Sequence, residues 1–290
     1  MIDFHVHFGN LEREGYPAHP PRTVEQTIDF MDRFGIDQGV LLPLESPEGG
    51  WGYLLTEDVI AARNRYPERF IAFFCVDPRY PSIEAFVDMC VQKHACRGCG
   101  EHVNGLRFND PLNKRIYAKC NEYGLPLDFG DDLGCYDEPG LPRLEECLSE
   151  FPRVNFCGHG PGFWSAISGD DDRTIPYPRT PIQPGGALDR LLARYDNLYL
   201  DLSAGSGANA MNRDPQFARG FIARHWRKML WGTDYCVMDQ HIPQIQWLAR
   251  LEVTPEVKEA IADGNARKLL GLPPRSGSVS ERASPAERGR

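Results

Sequence analysis

Asp3, His5 and His7 alternate within Ile2-Asp3-Phe4-His5-Val6-His7. On an extended chain the side chains at i and i+2 share a face, so both imidazoles project the same way a few ångströms apart. That spacing suits two ligands of one metal, and zinc and its neighbours favour imidazole nitrogen. Asp3 lies deeper on the same face, where it suits a partner that orients a histidine. A surface strand with two unrelated histidines is the bland alternative, and two distant positions weigh against it. His159 ends the apolar run Asn155-Phe156-Cys157-Gly158-His159, and Asp234 ends Leu230-Trp231-Gly232-Thr233-Asp234. Polar residues at the C-terminal ends of apolar strands sit where barrel enzymes keep their chemistry. His5, His7, His159 and Asp234 are therefore expected to share one site at the strand ends.

Glu101 follows a fourth apolar run in Cys99-Gly100-Glu101-His102. A carboxylate there suits metal ligation, metal bridging or the positioning of a water, against the alternative of an exposed loop residue. Cys96 and Cys99 form a C-x-x-C, but no second such pair accompanies it, so packing is the expected role.

These residues need elements to bring them together. Strands are expected at 2–7, 38–43, 70–76, 97–101, 125–129, 153–158, 198–203 and 228–232, several of them apolar throughout, as strands covered on both faces are. Helix signals fill the intervals. Thr23 with Gln26 makes a capping box, and Asp110-Pro111, Asp214-Pro215 and Thr254-Pro255 each place a cap before an N1 proline. Gly124 and Gly271 stand where helices close. Eight strand–helix units imply parallel pairing and, with no glycine-rich nucleotide loop, an α/β fold of the (β/α)8 TIM barrel type. The expected organisation is one barrel domain over 1–272 and a disordered tail over 273–290, rich in Pro, Ser, Arg and Glu. Residues 160–186 form a connection too long for an ordinary βα loop, and its Phe163, Trp164 and Tyr177 suggest a cover over the site.

Composition narrows the partners. The 290 residues are 41% hydrophobic and 25% charged, enough for a sizeable core, and the formal charge of −9 argues against nucleic acid and anionic membranes. No apolar run approaches a membrane span, and the N-terminus lacks the pattern of a signal peptide. Nine cysteines, an odd count among apolar neighbours, fit a reducing cytoplasm better than a disulfide scaffold. A small-molecule substrate is the expected partner, and a homo-oligomer stays open.

At Asp3-Phe4-His5-Val6-His7, Gly158-His159-Gly160-Pro161-Gly162-Phe163-Trp164, Asn197-Leu198-Tyr199-Leu200-Asp201-Leu202-Ser203, Trp231-Gly232-Thr233-Asp234 and Asn265-Ala266-Arg267-Lys268-Leu269-Leu270 the chain resembles the amidohydrolase superfamily. The likeness is to its amidohydrolase-related branch, which includes aminocarboxymuconate-semialdehyde decarboxylase-like enzymes. The resemblance implies that His5 and His7 bind a catalytic divalent metal, usually Zn2+. It implies further that Asp234 binds metal and shuttles a proton, and that His159 is a ligand or a polarising residue. One departure stands out. The family's ligand histidine ending the fifth strand is replaced by Gly130 in Leu125-Pro126-Leu127-Asp128-Phe129-Gly130, leaving Glu101, His159 or Asp131 to complete the shell. Glu101 is attractive because TatD-type nucleases of the same superfamily carry a metal-binding glutamate in a similar Gly-Glu turn.

The leading expectation is a metal-dependent hydrolase that opens a small amide, ester or lactone with a metal-activated water, Asp234 taking and returning the proton. The alternatives are non-oxidative decarboxylation of an aromatic or enoic acid at the same site, and a barrel without turnover that acts as a binding protein. Phosphodiester cleavage lacks the basic surface that nucleic acid selects. Trp51, Arg107 and Trp164 are the expected substrate contacts, with Arg173 and Arg179 as further anion clamps.

Overall fold

The computed structural model describes residues 1–9, 22–50, 54–131 and 136–275. Eight parallel strands follow chain order: β1 (Ile2–Val6), β2 (Gln38–Leu41), β3 (Phe70–Ala72), β4 (Cys99–His102), β5 (Pro126–Gly130), β6 (Asn155–His159), β7 (Leu198–Asp201) and β8 (Met229–Leu230). They form two ladders, β1-β2-β3 and β4-β5-β6-β7-β8. Both seams between the ladders are bridged. Phe74 pairs in parallel with Cys99, and Val6 pairs in parallel with Tyr235. Single backbone bonds reinforce the second seam, Phe4 N to Trp231 O and Asp234 N to His5 O, each 2.9 Å. The ring is closed, and the fold is the (β/α)8 barrel that the alternation of elements implies.

Every residue of β1 and of β5 is buried, which is why these strands read as near-continuous apolar runs rather than as alternating ones. The exceptions inside such runs, Asp3, His5 and Asp128, are therefore buried polar groups that must be partnered or functional. β8 is shorter than its apolar run, because ladder bonding to β7 ends at Leu230 and the chain then leans toward β1. Glu101, expected at the end of the fourth strand, lies within β4, which runs one residue further to His102.

The local helix signals act as written. Thr23 and Gln26 close a capping box on the helix Val24–Phe34, which ends at Gly35 with φ 67°. Asp110 accepts from Leu112 N at 2.9 Å ahead of the helix Pro111–Tyr123, and Gly124 ends it with φ 68°. Asp214 and Thr254 cap the helices beginning at Pro215 and Pro255 in the same way.

The connection 160–186 is tied down. It opens with a short helix, Pro161–Ser165, whose Phe163 and Trp164 are buried. Gly158 makes room for that packing, since a Cβ there would lie 2.2 Å from the Phe163 ring. Gly169 N donates to Gln183 O at 2.9 Å, and Arg173 reaches Asp131, just beyond β5, at 2.8 Å. The aromatic residues that suggested a cover divide in two: Phe163 and Trp164 belong to the core, and Tyr177 is exposed. Residues 276–290, most of the expected tail, lie outside the described residues. Among the described residues no helix is long and apolar enough to cross a membrane, and no disulfide joins the cysteines.

Candidate metal centre

The alternation along β1 sends His5 and His7 to one face, and their Nε2 atoms lie 2.9 Å apart. Each ring is fixed through its other nitrogen. His5 Nδ1 meets Asp201 Oδ2 at 2.7 Å, and His7 Nδ1 meets the Leu42 carbonyl at 2.8 Å. A carbonyl oxygen only accepts, so His7 Nδ1 carries a proton and His7 Nε2 is the nitrogen that faces the cluster. Asp201 imposes the same tautomer on His5.

Asp234 joins them from beyond β8. Its backbone is left-handed, φ 52°, with its N–H on the His5 carbonyl. Asp234 Oδ1 lies 3.4 Å from His7 Nε2 and 3.7 Å from His5 Nε2. This approach depends on Gly232, where a Cβ would crowd Asp201 Oδ1 at 3.0 Å and His5 Cβ at 3.2 Å. Glu101 Oε2 stands 3.5 Å from both Nε2 atoms. His159, the last residue of β6, has Nδ1 2.9 Å from Ser203 Oγ and Nε2 4.0 Å from both Glu101 Oε1 and Asp234 Oδ2. Ser203 Oγ in turn donates to Asp201 Oδ2 at 2.8 Å. Three groups of donors arise: His5, His7 and Asp234; His5, Glu101 and His159; and His5, Asp128 and Asp201, each with atoms within 4.8 Å of one another.

The electrostatics favour positive charge here. Burial pushes Glu101 up, but hydrogen bonds from His5 and His7 outweigh it and hold the carboxylate well below its ordinary range. Burial likewise opposes ionisation of Asp234, yet His7, His5 and His159 bring it to about 2. Burial and the charge of His5 work against a protonated His159, but Asp201 and Glu101 raise it to about 9. Asp128 is pushed well above its ordinary value, by burial first and then by the like charge of Asp201. Both Asp128 oxygens are buried without a hydrogen-bond partner among the described residues.

Two imidazole nitrogens facing each other at 2.9 Å need a proton or a metal ion between or beside them. The donors present, two imidazole nitrogens fixed by outer partners and two ionised carboxylates, make a buried His/Asp/Glu cluster able to coordinate a divalent metal.

The other residues singled out in the sequence fall elsewhere. Asp3 does not orient an imidazole. It accepts from Thr233 N at 2.8 Å, from Thr233 Oγ1 at 2.6 Å and from the His5 backbone at 3.3 Å, so it joins β1 to the segment before Asp234. Asp201 does the orienting instead. Asp131 turns to Arg173 and takes no part in the cluster. Trp164 is 2% exposed, and its indole N–H donates to the Asp201 carbonyl at 3.0 Å. Arg107 is exposed on a loop, and Trp51 lies outside the described residues. Cys96 and Cys99 are buried, as packing requires. Sequence reasoning passed over Asp128, Asp201 and Ser203. The available signal was a carboxylate within a fully buried strand, at Asp128, and another at the end of one, at Asp201.

A family model described as amidohydrolase matches residues 2–272. A search of curated proteins finds no match. Among solved structures, an uncharacterised TIM-barrel protein from Bordetella bronchiseptica aligns with TM-score 0.67 at 18% identity, over 93% of this chain and 99% of that one. The 2,6-dihydroxybenzoate decarboxylase from Rhizobium aligns with TM-score 0.61 at 15% identity, over 93% and 98%. A probable 2-pyrone-4,6-dicarboxylic acid hydrolase from Acinetobacter baumannii aligns with TM-score 0.62 at 15% identity, over 93% and 99%.

Proposed function

The chain belongs to the amidohydrolase family, and from that membership and the geometry of its metal centre we propose a metal-dependent lyase that decarboxylates a hydroxylated aromatic or enoic acid without oxidation. His5, His7, Asp234 and Glu101 would hold the cation, with His159 standing free of it. Zinc is the metal best matched by imidazole donors, with manganese the rival that a carboxylate-rich shell admits. When bound, the cation supplies positive charge that anchors and polarises an anionic oxygen of the substrate.

One observation carries the proposal: the His159 imidazole faces Asp234 and Glu101 across 4.0 Å gaps while Ser203 fixes its far nitrogen. Those gaps exceed a hydrogen bond, so His159 Nε2 is tied to neither carboxylate and is available to a reacting group beside them. In decarboxylation the C–C bond to the carboxylate breaks and its electron pair stays on the substrate carbon. A proton then forms the new C–H bond, and carbon dioxide leaves. The reaction needs an acid, and His159, raised to about 9, is protonated at neutral pH. Asp234 lies within the same space and serves as the relay through which that proton is replaced. The decarboxylase from Rhizobium shares the fold, which makes the chemistry admissible on this scaffold without assigning it. Trp51 and Arg107 remain the proposed substrate contacts, whereas Trp164, buried in the core, bears on the site only through the Asp201 carbonyl that its indole holds.

The ionised Asp234 favours a second reading, hydrolysis of a lactone, ester or amide in which it takes a proton from water.

The test is product analysis. Protein loaded with zinc or manganese is incubated in D2O with hydroxybenzoates, enoic acids and 2-pyrone carboxylates. The proposal expects carbon dioxide release matched by one deuterium at the vacated carbon. Ring opening with solvent oxygen incorporated and no carbon dioxide would replace it by hydrolysis. Metal uptake with neither product across the panel would favour the binding protein.

A further inference from the structure

β8 bonds to its neighbour strand only through Leu230, yet the carboxylate that matters stands four residues further on, at Asp234. There the backbone has φ 52°, a left-handed conformation disfavoured for any residue with a Cβ. The bond from Asp234 N to the His5 carbonyl fixes the near side of the residue. Its carbonyl side is fixed by Gln240. Gln240 Nε2 donates to the Asp234 carbonyl at 2.7 Å, while Gln240 Oε1 accepts from Cys236 N at 2.7 Å and from Val237 N at 3.2 Å. The amide orientation is unambiguous, because two N–H groups meet its oxygen and a carbonyl meets its nitrogen. The turn is closed by Gln240 N on the Val237 carbonyl at 3.3 Å. From the barrel side, Arg22 Nη2 donates to the Tyr235 carbonyl at 2.5 Å and to the His7 carbonyl.

We infer that Gln240 is a positioning residue of the metal centre: one side-chain amide, bridging the Asp234 carbonyl and the two N–H groups beyond it, holds Asp234 in its left-handed state so that Oδ1 faces His5 and His7. The far side of the same peptide is tied by Tyr235 N on Thr233 Oγ1 at 3.1 Å and by the Val6–Tyr235 bridge, and Cys236 Sγ lies 3.3 Å from the Asp234 carbonyl. Gln240 adds the short amide bond to that carbonyl, so without it the carboxylate is held less closely on the imidazoles. Gln240 is half-buried at a loop end, so its removal opens no cavity in the core. The inference rests on the reading of Asp234 as a metal ligand, and its test separates the two.

Zinc binding to chelator-stripped protein is measured by calorimetry for the wild type, Asp234→Asn, Gln240→Leu and the double variant, with thermal melts of the stripped proteins alongside. Gln240→Leu is expected to weaken zinc about tenfold, the scale of losing an outer partner of a ligand, while the melt stays close to wild type. In the Asp234→Asn background the same change is expected to cost nothing more. If Gln240→Leu fails to fold, Gln240→Asn, which keeps the amide but withdraws it, takes its place. Wild-type affinity in Gln240→Leu while Asp234→Asn is weakened overturns the inference alone. A full additional loss in the double variant also overturns it, since the effect would then not pass through Asp234. Wild-type affinity in Asp234→Asn overturns both the inference and the reading beneath it.

Discussion

Asp201 shows how much of the centre is decided by a residue that need not touch a metal. It accepts from His5 Nδ1 and from Ser203 N and Oγ, and lies 3.4 Å from His159 Nδ1, so one carboxylate orients imidazoles from two strands. Asp201→Asn keeps the shape but brings an amide N–H where only acceptors are wanted. Metal affinity by calorimetry should fall about 10–100-fold; unchanged affinity would mean that β1 alone fixes His5. His159 carries the second prediction at this scale. Its acid form persists up to about pH 9 because Asp201 and Glu101 favour the proton over the opposing effect of burial. A group raised in this way acts as an acid below that value and is spent above it. The rate of carbon dioxide release should therefore hold through neutrality and fall as pH passes about 9. His159→Asn should lower the rate and remove that limb.

At the scale of elements, the connection 160–186 is held to the end of β5 by Arg173 and Asp131, an ion pair whose carboxylate is 3% exposed. Breaking such a pair from one side leaves a buried charge without its partner. Arg173→Ala should make this connection the first site of cleavage in limited proteolysis of the folded protein; an unchanged cleavage pattern would show that Phe163 and Trp164 anchor it unaided. Much of the element order was open to reading because its signals are local. Thr23 with Gln26, Asp110-Pro111 and Gly124 act on their own neighbours, and they cap and end helices where the sequence placed them. The meeting of His5, His7, His159 and Asp234 was readable because β1 alternates and because His159 and Asp234 follow apolar runs. Asp201, Ser203, Arg22 and Gln240 were not readable in the same way. Their roles arise when distant segments meet, and no spacing records that Gln240 folds back on Asp234 or that Arg22 spans His7 and Tyr235. Asp3 misled for the same reason: its place on the shared face was right, but Thr233 from the other side of the seam takes its oxygens.

The molecule as a whole is a ring whose closing seam is also its functional seam. Val6 pairs with Tyr235, Asp3 with Thr233 and His5 with Asp234, so the first and last strands are joined by the very residues that gather the donors. A cation bridging His5, His7 and Asp234 would tie that seam further and stabilise the folded state by mass action. At about a hundredfold excess over Kd the gain is about 2.7 kcal/mol. Chelation should lower the midpoint of thermal unfolding and zinc should restore it, whereas a melt indifferent to both would place the metal away from the seam or nowhere. The most direct test of the account is an anomalous-difference map from metal-loaded crystals, collected above and below the absorption edge of the metal. The account predicts one strong peak about 2.0–2.2 Å from His5 Nε2, His7 Nε2 and an Asp234 oxygen. A featureless map there, or a peak bound only by other residues, would contradict it.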